Sequence, residues 1–151
     1  MEIKFVSSPI GVFESTYSNS GLLRLSFLWG RESRHPHDRP LQKKIDKFFS
    51  PQGLKTLPLI DMQGTSFQLN VWSALCDIPR GQTESYLSIA TSIGAPKAAR
   101  AVGTACKMNP VPLFIPCHRV IKQDQSYGAF ALGAENKTFL LNIEAQINEP
   151  L

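Results

Sequence analysis

The sequence predicts an α/β protein of the α+β kind, with a small N-terminal antiparallel β-sheet domain that includes a helix, followed by a C-terminal helical domain. Three observations predict it. Short apolar runs separated by turn residues fill positions 1–30, whereas apolar residues recur at helical spacing from Phe67 onward. Between the two patterns, Gly64-Thr65 stands directly ahead of the first strongly periodic segment, so the boundary is expected near Asp61 to Thr65, dividing the chain into 1–60 and 61–151. At 151 residues, 42% hydrophobic and 19% charged, the chain is long enough for one globular domain or two small ones sharing a core.

The N-terminal elements follow from turn chemistry. Ile3 to Val6, Gly11 to Tyr17 and Leu22 to Trp29 read as three antiparallel strands, separated by Pro9-Ile10-Gly11 and Asn19-Ser20-Gly21. Gly30 to Pro40 is charged and reads as an exposed linker; its His35-Pro36-His37 has no further ligand-type residue suitably spaced, so no metal is expected there. Leu41, Ile45, Phe48 and Phe49 then fall on one face of a helix that Pro51-Gln52-Gly53 ends.

In the second part, Phe67, Val71, Trp72, Leu75 and Cys76 share a helical face that stops before Pro79-Arg80-Gly81. A short helix is expected from Ser85 to Ile93, presenting Tyr86, Ile89, Ala90 and Ile93. Gly94-Ala95-Pro96 turns the chain into a third helix, Lys97 to Met108, ended by Asn109-Pro110. Helix, Gly-containing turn and small-residue helix is the pattern of a helix-turn-helix, although ordinary helical hairpins share it.

Cysteine and charge narrow the function classes. Cys76, Cys106 and Cys117 are odd in number and contain no Cys-x-x-Cys pair, which argues against a disulfide framework and a thiolate zinc site and leaves at least one thiol free. No apolar run is long enough for a membrane span, and the start at Met1-Glu2-Ile3-Lys4-Phe5 does not read as a secretory leader, so an intracellular protein with no membrane partner is expected, cytoplasmic in a prokaryote and nuclear in a eukaryote. The net charge of +4 invites a nucleic-acid reading, but the excess lies in residues 1–60, with 9 bases against 5 acids; residues 61–151 balance at 7 against 7. Within the second part, residues 97–107 hold Lys97, Arg100 and Lys107 without an acid.

The third helix divides into two faces. Ala98, Ala101, Val102 and Ala105 are expected to pack inward, and Arg100, Gly103, Thr104 and Lys107 to look outward. A face of small residues admits close approach by another backbone, either a neighbouring helix or the walls of a DNA groove; the adjoining cations favour the groove.

The run Val111-Pro112-Leu113-Phe114-Ile115-Pro116 is apolar and proline-punctuated and reads as extended, delivering Cys117 into the interior. His118 follows directly, and an imidazole beside a thiol can take its proton to make the nucleophilic thiolate. Adjacent side chains of an extended strand point to opposite faces, so a turn or an intervening water is required before the pair can act.

In order and spacing, Pro116-Cys117-His118-Arg119-Val120 resembles the active-site signature of the O6-alkylguanine-DNA alkyltransferases, also called methylated-DNA-protein-cysteine methyltransferases. Ile78-Pro79-Arg80-Gly81-Gln82-Thr83-Glu84-Ser85-Tyr86, Pro96-Lys97-Ala98-Ala99-Arg100-Ala101-Val102-Gly103 and Asn109-Pro110-Val111-Pro112 resemble the same family's helix-turn-helix and hinge. The likeness is close over residues 61–145 and looser over the opening strands. It implies a ribonuclease-H-like N-terminal domain and a C-terminal DNA-binding alkyltransferase domain with a winged-helix-like helix-turn-helix.

The resemblance implies that Cys117 is the alkyl acceptor, that His118 takes its proton through a bound water, and that Glu144 orients the histidine. Tyr86 resembles the tyrosine that helps rotate the target nucleotide and donates a proton to guanine N3. Arg100 resembles the finger that fills the gap left by the extruded base. Lys97, Gly103, Thr104 and Lys107 would accompany it on the DNA, Asn109 would be the hinge, and Lys137 would lie near the thiolate. The implied reaction is single-use, irreversible transfer from O6-alkylguanine, less so O4-alkylthymine, in the minor groove of double-stranded DNA, by a monomer with no cofactor. Arg119 is expected as a buried ion-pair partner.

In Gly128-Ala129-Phe130-Ala131-Leu132-Gly133 the chain departs from the commoner pattern: Phe130 stands where tyrosine is usual, Ala131 where serine is common and Leu132 where some members have glycine. Phe130, Ala131 and Leu132 should wall the substrate pocket, and bulky Leu132 should disfavour a benzyl group. No cysteine or histidine occurs in positions 1–30, so the structural zinc of some relatives is not expected. Two rivals stand beside this reading: a non-catalytic alkyl-lesion-binding protein, against which Cys117 argues, and a methylation-sensing helix-turn-helix regulator.

Overall fold

A computed structural model describes residues 2–126, 128 and 130–146, with nothing described of the Gln146 side chain. Tyr127, and Ala129 of the expected pocket run, lie outside the described residues, as does the end of the chain beyond Gln146. The chain divides into two compact units, Met1–Gln63 and Gly64–Leu151.

In the first unit, β1 (Glu2–Ser8), β2 (Gly11–Ser18) and β3 (Gly21–Phe27) form an antiparallel sheet in that order. Val6, Phe13, Leu22 and Leu25 are buried on it. Gly21, at φ +147°, is required by close approach: a Cβ there would stand 2.7 Å from the Leu59 carbonyl oxygen. That carbonyl accepts the Leu22 N–H at 2.8 Å, so residues 59–61 run beside β3.

The helix α1 (Arg39–Phe48) buries Leu41, Ile45 and Phe48 of the apolar face that the sequence spacing predicts, whereas Phe49, expected on that face, is the C-cap and half-buried. Its cap is Asp38, whose carboxylate accepts the Leu41 N–H at 3.1 Å and the Ser15 hydroxyl at 2.8 Å. The histidine segment is exposed, and it docks on β1: Phe5 donates to the Pro36 carbonyl and Asp38 donates to the Phe5 carbonyl.

The second unit opens with α2 (Ser66–Cys76), started by a reciprocal capping box between Thr65 and Gln68. Ser85 caps α3 (Tyr86–Ser92), and α4 (Ala99–Lys107) follows the Gly94 turn. Trp72, fully inside α2, donates its indole N–H to the Ala105 carbonyl at 2.9 Å and so fixes α2 on α4. The inward face of α4 is Val102, Ala105 and Cys106. Ala101, expected inward, is exposed, and Ala98 is only half-buried; the buried face is centred on Val102 and Cys106, one turn apart, which sets Ala101 at its outer edge.

The cysteine run is the larger correction. Residues 111–115 coil into turns instead of extending, with Ile115 N–H donating to the Val111 carbonyl at 3.0 Å and Leu113 at φ +76°. The prolines forbid a ladder there, and burial of Val111, Leu113, Phe114 and Ile115 outweighs the strain of a left-handed leucine, about 1–3 kcal/mol. The chain then makes a 3-10 turn, Cys117–Arg119, and enters β5 (Val120–Ile121), which pairs in parallel with β4 (Glu84–Ser85). The last helix is α5 (Ala134–Gln146). No helix among the described residues is long and apolar enough to cross a membrane.

Candidate active site and nucleic-acid interface

The 3-10 turn supplies the geometry that an extended Cys-His pair lacks. A tight turn replaces the alternation of a strand, so consecutive side chains no longer oppose one another, and both Cys117 and His118 are buried. Two short anchors hold the turn: Cys117 N–H donates to the Ile115 carbonyl at 2.8 Å, and Arg119 N–H to the Pro116 carbonyl at 3.0 Å.

Asn109 ties the end of α4 to this turn. Its amide donates to the Ile115 carbonyl at 2.7 Å and to Cys117 Sγ at 3.1 Å, while its Oδ1 accepts the Val111 N–H at 3.0 Å. One buried side chain thereby satisfies two backbone groups of the coiled segment and faces the thiol with a donor.

Behind the thiol lies a buried charge network. His118 Nε2 is 3.0 Å from Glu144 Oε1, and Arg119 grips the same carboxylate with Nε at 3.0 Å and Nη2 at 2.8 Å. The remaining Arg119 Nη1 donates to the Ile78 carbonyl at 2.8 Å. Burial alone would raise the Glu144 carboxyl; the bonds from His118 and Arg119 more than reverse this and hold it at about 2. Burial lowers His118, against the pull of Glu144, so the imidazole is neutral. A neutral imidazole facing a carboxylate through Nε2 carries its hydrogen there, which makes Nδ1 the basic nitrogen.

Burial pushes the Cys117 thiol up to about 11, opposed by the Asn109 hydrogen bond and the Lys137 charge. Lys137 is buried and its Nζ donates to the Val120 carbonyl at 2.6 Å. Burial brings it down to about 8, against the attraction of Cys117 and Cys106. Its ammonium stands 5.8 Å from the ring centroids of both Tyr86 and Phe130, within reach of a cation–π interaction. Phe130 in turn meets the His118 ring edge to face, with centroids 6.3 Å apart. Leu132 is buried at the start of α5, where its carbonyl accepts from Asn136, and Ala131 is half-buried beside it.

Tyr86 begins α3 immediately after β4, so the parallel pairing of Glu84 with Val120 and Ser85 with Ile121 fixes the tyrosine to the strand that leaves the cysteine turn. Burial raises its phenol to about 12, which keeps it a proton donor at neutral pH. It lines an open depression of about 470 Å³ together with Arg100, Thr104 and Lys107 from α4 and Lys122 from beyond β5. Gly103 faces the Tyr86 ring; a Cβ there would meet it at 3.8 Å. Lys97 is exposed in the turn ahead of α4, outside this depression.

Cys117, His118, Glu144, Asn109 and Lys137 therefore form one buried cluster with the half-buried Phe130 beside it, and Tyr86, near Lys137, also lines a cationic surface that bears Arg100, Gly103, Thr104 and Lys107. Two features went unread in the sequence. Lys122 joins the cationic rim, signalled only as a lone base after an apolar pair; and β4 and β5, two residues each, are too short to show a period.

Comparison with known proteins places this arrangement. Residues 66–146 match the family model of the 6-O-methylguanine DNA methyltransferase DNA-binding domain. A methylated-DNA–protein-cysteine methyltransferase of Methanosarcina barkeri is 40% identical over 95% of this chain and 97% of its own length. The bifunctional transcriptional activator and DNA repair enzyme Ada of Escherichia coli is 48% identical over 76% of this chain, which spans 33% of that protein. The crystal structure of Mycobacterium tuberculosis OGT in complex with DNA superposes with a TM-score of 0.88 at 34% identity, covering 97% of this chain and 94% of that one. The chain belongs to the 6-O-methylguanine DNA methyltransferase family.

Proposed function

We propose that the protein repairs DNA by direct reversal, transferring the alkyl group of an O6-alkylguanine, and less readily of an O4-alkylthymine, to Sγ of its own Cys117. The observation that carries this reading is the buried thiol, held by Asn109 and Lys137 beside a histidine whose second nitrogen is engaged by a carboxylate. The N-terminal unit would be a ribonuclease-H-like domain, and the second unit the alkyltransferase domain, working as a monomer in the cytoplasm of a prokaryote or the nucleus of a eukaryote.

On DNA, α4 enters the minor groove with Gly103 and Thr104 toward its floor, while Lys97, Lys107 and Lys122 meet phosphates. The lesion lies within the base stack, so the nucleotide rotates out, at a cost of a few kcal/mol, and Arg100 occupies the space it leaves. Phe130, Ala131 and Leu132 wall the pocket that receives the base.

The Cys117 proton passes through a water to His118 Nδ1, and Glu144 stabilises the resulting imidazolium. The thiolate attacks the alkyl carbon in line with O6. The S–C bond forms as the C–O6 bond breaks, the electron pair passes to the guanine, and Tyr86 protonates N3; the proton held on His118 returns through solvent to the phenolate. A thioether has no comparable leaving step, so each molecule acts once.

Peptide mass spectrometry after incubation with duplex DNA containing O6-methylguanine tests this. A stoichiometric methyl on the Cys117 peptide, absent from Cys117→Ala, is expected; an unmodified thiol on a protein that binds the lesion tightly would overturn it.

A further inference from the structure

The proposed reaction leaves the chain's positive excess unused, because that excess lies in residues 1–60. The structure gathers it. Arg39, Lys43 and Lys47 follow one another at four-residue intervals on α1 with Lys44 alongside, an arc of about 140° opposite the buried Leu41, Ile45 and Phe48. Lys55 stands across a depression of about 580 Å³ from them, with Pro40 and Leu54 also lining it. Lys44 closes one end by donating to the Thr56 carbonyl at 2.8 Å.

Among the described residues, no carboxylate pairs with any of these five cations. The one acid on α1, Asp46, lies at the edge of the arc and accepts a hydrogen bond from Gln42. Asp38 is buried and occupied by Ser15, Tyr17 and the Leu41 N–H. Five like charges in one concave site repel one another without a counter-charge. Cations about 6 Å apart in file along a helix, from the four-residue rise, suit an occupant with regularly repeated anions.

We infer that this groove is a second phosphate-binding surface for duplex DNA, carried by the N-terminal unit in addition to the contacts of α4. Charge complementarity, the linear spacing and the DNA-binding domain on the same chain favour a nucleic-acid backbone over an acidic protein or a lipid surface. The groove reads no sequence and adds salt-sensitive affinity for undamaged duplex. It does not depend on alkyl transfer, so a failure of that reaction leaves it standing.

The test is the salt dependence of binding of the full chain to a fluorescent, undamaged duplex. Each phosphate contact contributes about 0.9 to the slope of log K against log salt, so Lys43→Gln/Lys47→Gln/Lys55→Gln should lower its magnitude by about 2.7. The corresponding triple Arg variant should keep the parental slope. If the triple Gln variant does not fold by circular dichroism, Lys43→Gln and Lys55→Gln alone should each lower it by about 0.9. A parental slope in a folded Gln variant overturns the inference. So does loss of binding to phosphatidylserine vesicles in that variant while its DNA slope stays parental, which would assign the groove to a membrane.

Discussion

Replacing Glu144 by Gln removes one charge from the buried network and leaves its shape nearly intact. Arg119, with its side chain 12% exposed, loses its counter-ion, and His118 loses the anion that would balance an imidazolium. The folded carboxyl is held at about 2, whereas its ordinary value is 4.5. At about 1.4 kcal/mol per pH unit, that difference corresponds to about 3 kcal/mol of stability, within the range for breaking a buried ion pair from one side. A folded pKa below the unfolded one means that the unfolded chain binds the extra proton, so this stability is complete above about pH 4.5 and is lost as the pH falls toward 2. At neutral pH the variant should melt about 6–12 °C lower. Between pH 4.5 and 2 the wild type should approach the variant, which lacks the titrating group. In single-turnover transfer from O6-methylguanine DNA, loss of the carboxylate that orients His118 and balances its imidazolium should slow the reaction about 10²–10⁴-fold. Melting equal to wild type at neutral pH, or a pH dependence unchanged by the substitution, would refute the energetic argument; a rate within a few-fold of wild type would refute the role of the carboxylate.

Asn109→Ala strips donors and an acceptor from the Ile115 carbonyl, the Val111 N–H and Cys117 Sγ, so chemical denaturation should show a loss of about 2–6 kcal/mol, since each of the two buried unmatched backbone groups costs about 1–3 kcal/mol. Tyr86→Phe keeps the ring and removes the phenol: transfer should slow about 10²-fold with DNA affinity unchanged by anisotropy, and an equal loss of affinity would make the residue a binding group instead. Without DNA, Cys117 should resist iodoacetamide at neutral pH and react in a titration centred near 11, as peptide mapping can follow; rapid labelling at neutral pH would show a thiol less shielded than its burial implies. Because Leu132 is bulky and fixed in the core, O6-benzylguanine should label the protein far more slowly than methylated DNA does, and comparable rates would remove Leu132 from the pocket wall.

The two-part fold was legible because both halves carry period. Strand alternation with glycine turns located β1 to β3 within two residues, and the apolar stripe of α1 is the one the spacing names. What escaped was aperiodic. Residues 111–116 read as extended because proline and β-branched residues disfavour helix, yet the same prolines permit a coil when side-chain amides supply its hydrogen bonds, as Asn109 does. The side chains of the cluster were named through resemblance; the alternation rule by itself sets Cys117 and His118 on opposite faces, and only the 3-10 turn removes that objection. Arg119 shows the limit from another side. Its sequence position suggests an ion pair, but the partner lies 25 residues away on α5, a distance that no local pattern encodes.

The charges of the cluster explain how a thiol raised to about 11 could serve as the nucleophile of the proposed reaction. At rest Cys117 and His118 are both neutral, while Glu144, Arg119 and Lys137 carry charge. Moving one proton from Cys117 to His118 creates two charges, and each arises against an existing opposite: the thiolate faces the Lys137 ammonium and the Asn109 amide, and the imidazolium faces Glu144. Ionisation is then opposed by burial and supported by preset charges, so the balance shifts when a bound base displaces solvent and strengthens those fields. The same burial sets the end of the reaction. Cys117 is 2% exposed, so an added methyl must fit among buried neighbours, and where these already fill the space overpacking costs about 1–3 kcal/mol. In the proposed reaction the buried surroundings that hold the thiol unreactive would also enclose the thioether, which has no comparable leaving step, so such a site is suited to acting once.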